Sequence, residues 1–359
     1  MHTYIMNNNE ITAQFALEGK VLDVKPLGEG FINDTYIVST DGPRYILQRK
    51  NKNVFPDVPA MMDNIAAVTA HIKKKVKEPL RETLTIIPAK DGRLFYQDPE
   101  GEYWAVCLFI EGTVTYDVAE TPEMARQGGI GIGRFQSLLS DFDKPLAEVI
   151  KGFHNIRWRF KQWDESLAAD KAGRIGALSE EIAFVQDRRG RMLEFWKMVE
   201  DGVLPLRVTH NDTKLSNFLF DKASGRLLCA IDLDTVMNST SLNDVGDAIR
   251  SYANNTVEDD SDLSKVWLRM DMYDAYMNGY LSERKETLTA SEKQWMAFAP
   301  LYITYEQVLR FLMDYIDGDT YYKIAYPEHN LVRTRNQIAL LRSMEDNYIK
   351  MQDVVKNKL

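Results

Sequence analysis

Asp212, Asn217 and Asp232 stand where polar residues gather between apolar, β-favouring runs, in LRVTHNDTKLSNFLFDKASGRLLCAIDLDTV over residues 206–236. A carboxylate and an amide oxygen that meet near a phosphate are hard ligands suited to Mg²⁺, which takes one or two protein carboxylates and keeps several waters. Asp212, five residues before Asn217, is of a type that accepts a proton from a hydroxyl. Phosphoryl transfer asks for little more: a positioned nucleophile, a metal bridging the phosphates, and charge stabilisation. An isolated Asp–Asn pair commonly caps turns. The chemical reading rests on the whole constellation, with its strands and its second acidic element.

The elements that must position these residues are short. Arg207 to Thr209 reads as a strand running into the polar loop His210 to Ser216. A second strand, Asn217 to Phe220, precedes a turn at Asp221 to Gly225 and a third strand, Arg226 to Ile231. If the last two form a hairpin, Asn217 enters it and Asp232 leaves it on the partner strand, so that the two side chains face one point. His210 reads as a loop histidine bonded to backbone.

The pattern His210-x-Asp212-x-x-x-x-Asn217 followed by Ile231-Asp232 resembles the catalytic and metal loops of the aminoglycoside phosphotransferase and choline kinase family. The resemblance implies an α+β, protein-kinase-like two-lobe fold, with a small β-rich N-lobe and a larger, mainly helical C-lobe. It implies Asp212 as catalytic base, Asn217 and Asp232 as holders of Mg²⁺, and ATP as the phosphoryl donor. Lys214 and Arg49 are expected to offset phosphate charge. Asp244 or Asp247, in Asn243-Asp-Val-Gly-Asp-Ala-Ile-Arg250, resembles the acidic residue that braces the loop. Both also suit the capped first turns of a helix.

Length and composition agree with two lobes. The 359 residues exceed the usual size of one core, 45% are hydrophobic, and the formal charge of -9 gives no basic footprint for nucleic acid. Cys107 and Cys229 are the two cysteines, both in apolar runs, which reads as free thiols in a cytoplasmic protein. The N-terminal segment lacks a basic stretch followed by an apolar run, and no 18 consecutive apolar residues occur, so neither secretion nor membrane spanning is expected.

The first 112 residues read as strand-rich and residues 113–359 as helical, which sets the expected lobe boundary at Gly112. Gly28 and Gly30 lie between two strands, where glycine permits close approach to a phosphate. Tyr45 to Lys50 reads as the third strand. The basic residue that reaches ATP in the kinase pattern is expected near its end, yet Gln48 occupies that place, which leaves Arg49 or Lys50 to substitute or the loop to do more. Phe109 to Gly112 ends an apolar strand, and by resemblance the backbone there, with Phe109 and Glu111, forms the adenine-binding hinge. Neither a Gly-x-Gly-x-x-Gly unit between strand and helix nor a Walker sequence is present. Met124, Gly128, Gly131, Phe135, Leu138 and Phe142 recur at helical spacing, so the glycines of that run read as close helix packing.

Phe31 to Tyr36, Tyr45 to Arg49, His210 to Lys214, Ile231 to Thr235 and Arg310 to Thr320 together resemble a narrower group, the N-acetylhexosamine 1-kinases. The likeness runs from about residue 20 to residue 345. It implies transfer of the γ-phosphate of ATP to the anomeric C1 hydroxyl of N-acetylglucosamine or N-acetylgalactosamine, with Asn33, Asp34, Asp212 and Arg310 touching the sugar. Asp234 and Thr235 either brace the loop or touch substrate. Phe31 departs from that group, which often has His there, and Glu306 with Arg310 also has the spacing of a simple helical pair. Rival readings are a kinase of choline, homoserine or an aminoglycoside, and a non-catalytic binding protein motivated by Gln48.

Overall fold

The computed structural model describes residues 6–28 and 32–359. Its N-terminal part holds α1 (Asn8–Thr12), β1 (Val21–Pro26), β2 (Asp34–Thr40), β3 (Tyr45–Lys50), α2 (Val58–Lys73), β4 (Ile86–Ile87), β5 (Tyr96–Gln97) and β6 (Tyr103–Leu108). The strands form one antiparallel sheet in the order β1-β2-β3-β6-β4, with β5 also paired to β6. Side chains alternate across it. Tyr45 and Leu47 pack with Val38, Trp104 and Val106 beneath Ile11 and Phe15. The opposite face brings Ala105 against α2.

Helix α2 starts where Asp57 accepts a hydrogen bond from the Ala60 N–H and proline occupies the first turn. Its apolar stripe, Val58, Met61, Met62, Ile65, Val68 and Ile72, shares a core with Phe135, Val208, Leu233 and Val236 from the second half of the chain. Buried Asn64 adds direction to this contact. Its amide nitrogen donates to the carbonyls of Ala147 (2.9 Å) and Val236 (3.0 Å), and its oxygen accepts from the Ala147 N–H.

The remaining chain runs β7 (Thr113–Val114), α3 (Pro122–Leu138), α4 (Ile156–Ala169), α5 (Ser179–Glu200), β8 (Leu206–Thr209), β9 (Phe218–Asp221), β10 (Leu227–Ala230), β11 (Met237–Thr240), α6 (Ser241–Tyr252), α7 (Met270–Arg284), α8 (Ala290–Trp295), α9 (Ala299–Ile316), α10 (His329–Asp346) and α11 (Tyr348–Lys358). Helices predominate and enclose the largest core. Two small antiparallel ladders, β10-β9-β7 and β11-β8, stand among them. The small sheet lobe and larger helical lobe are those expected from sequence.

Boundaries differ in places. A single helix over 292–316 is expected from periodicity, but a 3-10 turn at Met296–Phe298 separates α8 from α9. Pro300, which has no N–H to donate, falls in the first turn of α9. Both cysteines are free. Among the described residues no helix is long and apolar enough to cross a membrane.

The glycine-rich helix α3 packs closely on its neighbours, as read from sequence, but the contact with α7 is made by Gly129 and Gly133, whereas Gly128 and Gly131 of the periodic stripe meet Tyr252 and Leu227. A β-carbon on Gly129 would lie 2.2 Å from the Tyr276 carbonyl oxygen, whereas one on Gly190 in α5 would meet nothing within 4 Å. Gly129→Ala is therefore expected to destabilise the protein by about 1–3 kcal/mol through overpacking. Gly190→Ala should stabilise by about 0.5–1 kcal/mol through helix propensity. Urea denaturation of the two variants beside the parent checks both signs.

Candidate active site

The loop between β8 and β9 has few regular hydrogen bonds of its own, and α6 supplies them. The Asp244 carboxylate accepts from the Asn211 N–H (2.8 Å), the His210 N–H (3.1 Å) and the Gln136 amide (2.9 Å). Asp247 accepts from the Thr213 N–H at 2.7 Å. Both acidic residues of α6 thus brace the loop, where sequence left a choice between them. Burial pushes the Asp244 carboxyl up from its usual range, although the hydrogen bonds from Gln136 and the backbone oppose the shift. Asn211, at φ 66°, takes the left-handed turn that carries the chain from His210 to Asp212.

Asp212 emerges at the tip with one oxygen 2.9 Å from the Asn217 amide nitrogen and 3.3 Å from Lys214 Nζ. Burial raises the Asp212 carboxyl, but Lys214, His210 and the Asn217 amide outweigh it and hold the group below its ordinary value. Lys214 is correspondingly raised, first by Asp212 and, against burial, by Asp232, Asp247 and Glu258. His210 has the backbone-bonded role read from sequence: Nε2 donates to the Ile231 carbonyl and Nδ1 accepts from the Asp212 N–H.

The β9–β10 hairpin pairs Ala230 with Phe218. Its register puts Asn217 and Asp232 at the same end, as the alternation predicts. Asn217 turns its amide nitrogen to Asp212, by both carbonyl and carboxylate, which leaves its side-chain oxygen for another partner. Asp232 is left-handed at φ 53°. Burial, then Asp234 and Asp212, push its carboxyl up to about 6.

Across the lobes, Lys50 Nζ lies 2.7 Å from Asp234, with side chains only 4% exposed on each partner, and Asn33 donates to the same carboxylate at 2.8 Å. Thr235 braces the loop through its hydroxyl, 2.7 Å from the His210 carbonyl. The expectations for Arg49 and Asp34 fare differently. These two pair with each other on the outer face of the sheet, at 46% and 42% exposure, and do not join the cluster. The reason is the two-residue period of β3: Gln48 and Lys50 share the face under α2, and Lys50 also donates to Gln48 at 2.7 Å.

Gly28 is described, with φ 68° and open space where a β-carbon would sit. Gly30 and Phe31 lie outside the described residues. At the strand end, Arg44 stacks on Phe109 at 4.2 Å and pairs with the exposed Glu111. The Glu111 side chain is therefore engaged outside the cluster. Arg310 does not pair with Glu306 by hydrogen bonding. It donates to Gln307 at 3.3 Å and is ringed by Phe153 (5.5 Å), Tyr321 (5.7 Å) and Tyr322 (5.5 Å). Glu306 instead meets His154 and Arg159.

The sequence pattern of the phosphotransferase enzyme family, APH, matches residues 23–287. This chain belongs to that family. Over 209 residues it is 25% identical to the homoserine kinase of Zymomonas mobilis subsp. mobilis, a match covering 56% of this chain and 57% of that kinase. The chain therefore spans little more than half the length of that relative. Among solved structures, a microcompartment-associated aminopropanol kinase aligns with a TM-score of 0.64 at 16% identity, covering 96% of this chain and 97% of the other. A spectinomycin phosphotransferase in complex with ADP and spectinomycin aligns at 0.53 and 13% identity, covering 95% of each chain. The phosphotransferase family thus comes with the kinase-like two-lobe fold.

Of the residues near the site, Lys50 stood in the sequence reading only as an alternative to Arg49, and strand alternation, two residues beyond Gln48, decides for its inward position. His154 carries no signal, since nothing in its spacing links it to residues 210–212. For the loop itself, Asp244→Ala is expected to cost about 3 kcal/mol or more, because three donors lose their acceptor. Urea denaturation measures the loss, and a change below about 1 kcal/mol would mean that the loop holds itself.

Proposed function

We propose that this phosphotransferase is an ATP-dependent small-molecule kinase whose acceptor is the C1 hydroxyl of an N-acetylhexosamine, giving the sugar 1-phosphate. Asp212 is the base: it accepts the hydroxyl proton as the sugar oxygen attacks the γ-phosphorus in line and the bond to the β–γ bridging oxygen breaks, so that ADP leaves. Lys214, 3.3 Å from that carboxylate, keeps it ionised and offsets charge on the transferring group. The observation that carries the kinase reading is the convergence of Asp212, Asn217 and Asp232 at one end of the β9–β10 hairpin, facing Lys50 across the lobes.

Asn217 and Asp232 fit Mg²⁺. They offer an amide oxygen and a carboxylate, the hard oxygen donors this ion prefers. Held there, such an ion would supply neutralisation of the phosphate charge. Lys50, inward and bonded to Asp234, is assigned the phosphate contact in place of Arg49, which weakens the case for a non-catalytic reading. Gly28 and Gly30 approach the phosphates, while the backbone from Phe109 to Glu111 takes the adenine at a lobe boundary near Gly112.

Arg310 supports a neutral or anionic acceptor over a cationic one. A guanidinium already stands among Phe153, Tyr321 and Tyr322, where an ammonium substrate would otherwise find its aromatic partners. Hydrogen bonding of Arg310 to sugar oxygens fits an acetamido sugar, whereas Asn33 is already engaged by Asp234 and the Asn51 N–H. The second reading is homoserine, whose carboxylate would pair with Arg310, and the similarity to a homoserine kinase favours it.

The test is incubation with Mg²⁺-ATP and N-acetylglucosamine, N-acetylgalactosamine, glucose, choline, homoserine or kanamycin. Phosphate on C1 of the N-acetylhexosamines is expected, and product on homoserine alone would replace the sugar reading. Asp212→Asn should lower kcat by about 10²–10⁴-fold. Lys50→Met should raise KM for MgATP with a smaller change in KM for the acceptor, as steady-state kinetics on both substrates would register. Arg310→Ala should raise KM for the acceptor and leave KM for MgATP near that of the parent.

A further inference from the structure

His154 precedes α4 and is 4% exposed, yet both of its ring nitrogens are engaged. Nδ1 lies 2.6 Å from the Glu306 carboxylate on α9, and Nε2 lies 2.9 Å from the carbonyl oxygen of Asn211. Each partner is an acceptor. A neutral imidazole has one N–H and can serve only one of them. His210 illustrates the difference, since one of its nitrogens donates and the other accepts.

We propose that His154 is a positioning residue: a buried imidazolium, protonated on both nitrogens, that grips the Asn211 carbonyl and so ties the turn presenting Asp212 to helix α9.

The charges around the ring fit this state. Glu306 faces it from α9 and Asp247 acts on it from α6, while Arg159 from α4 and Arg310 from α9 act on Glu306. Glu306 also accepts from Arg159 at 3.2 Å, so its carboxylate is held by two cationic donors. Burial works against the charge on His154, but Glu306, then the Asn211 carbonyl and Asp247, carry its pKa above the ordinary value. Burial likewise works against the charge on Glu306, yet His154 and Arg159 bring that carboxyl down to about 2. With the histidine raised on folding, the contribution of its charge is complete below about pH 6.5 and is lost only as pH rises through the higher folded value.

The backbone agrees with a positioning role. Both His154 (φ 56°) and Asn211 (φ 66°) are left-handed, and such residues persist where their surroundings over-determine them. The next carbonyl along the loop belongs to the proposed base. On α9, Arg310 follows Glu306 by one helical turn and faces Phe153, the neighbour of His154. One dipeptide, Phe153-His154, therefore joins the helix proposed to meet the acceptor to the loop proposed to deprotonate it.

This inference rests on Asp212 as the base, and its test separates the two. The five histidines of uniformly ¹⁵N-labelled protein are followed by NMR at about pH 8, where an ordinary histidine is neutral. The His154 ring is assigned from its loss in His154→Gln or, should that variant not fold, from its contact with Phe153. The expected result is a proton on both ring nitrogens. Turnover of N-acetylglucosamine, and of ATP with water as acceptor, is then profiled against pH for the parent and Glu306→Gln. Without the carboxylate the ring should lose its charge near pH 6.5, so kcat of Glu306→Gln should fall across neutrality, by about tenfold or more, while KM for MgATP stays within about twofold. The parent should show no such fall there. A single ring proton in the parent at pH 8, or identical pH profiles for the two proteins, overturns the proposal. Doubly protonated His154 with a shifted profile for ATP and water, but no sugar product, leaves it standing and removes the sugar reading.

Discussion

A backbone turn that cannot satisfy its own hydrogen bonds is the constraint on which the site depends. The chain between β8 and β9 must reverse within a few residues, and it does so through a left-handed Asn211. Buried N–H groups need acceptors. Asp244 and Asp247 provide them from α6, the Thr235 hydroxyl caps the His210 carbonyl, and His154 caps that of Asn211. The large helical core exists in part to bring these four distant positions to one loop.

The lobes meet through a polar contact as well as an apolar one. Lys50 and Asn33 come from the sheet side and Asp234 from the loop beyond β10, and the group is almost fully shielded from water. Burying a lysine and a carboxylate together is costly unless geometry and further hydrogen bonds compensate. Here Gln48 and Asn33 supply those bonds. The same carboxylate lies close to Asp232, whose own charge it disfavours. Charge balance between the lobes and charge balance at the proposed metal ligands are therefore one problem.

Local patterns in the sequence carried much of this. The hairpin that aligns Asn217 with Asp232, the backbone-bonded His210 and the glycine-packed α3 follow from alternation, turn chemistry and helical spacing, each decided within a few neighbouring residues. Arg49 was misplaced because an apolar run is a poorer guide to register than strict two-residue alternation, which puts Lys50 inward. His154 and Glu306 lay beyond sequence reasoning for a different reason. They are 152 residues apart, and nothing local marks a histidine that will be buried between two acceptors.

Asn64 has a mechanical consequence. Its side chain is bonded to Val236 and Ala147, so α2, although it lies between β3 and β4 in sequence, is fastened to the helical lobe at the segment following Asp232. The strands touch that helix through apolar side chains such as Ala105. Apolar surfaces slide at low cost, whereas directed amide bonds do not. The strands are fastened to the same lobe at a separate place, where Lys50 and Asn33 meet Asp234, so sheet and helix are each anchored to the segment around Asp232 by their own directed bonds.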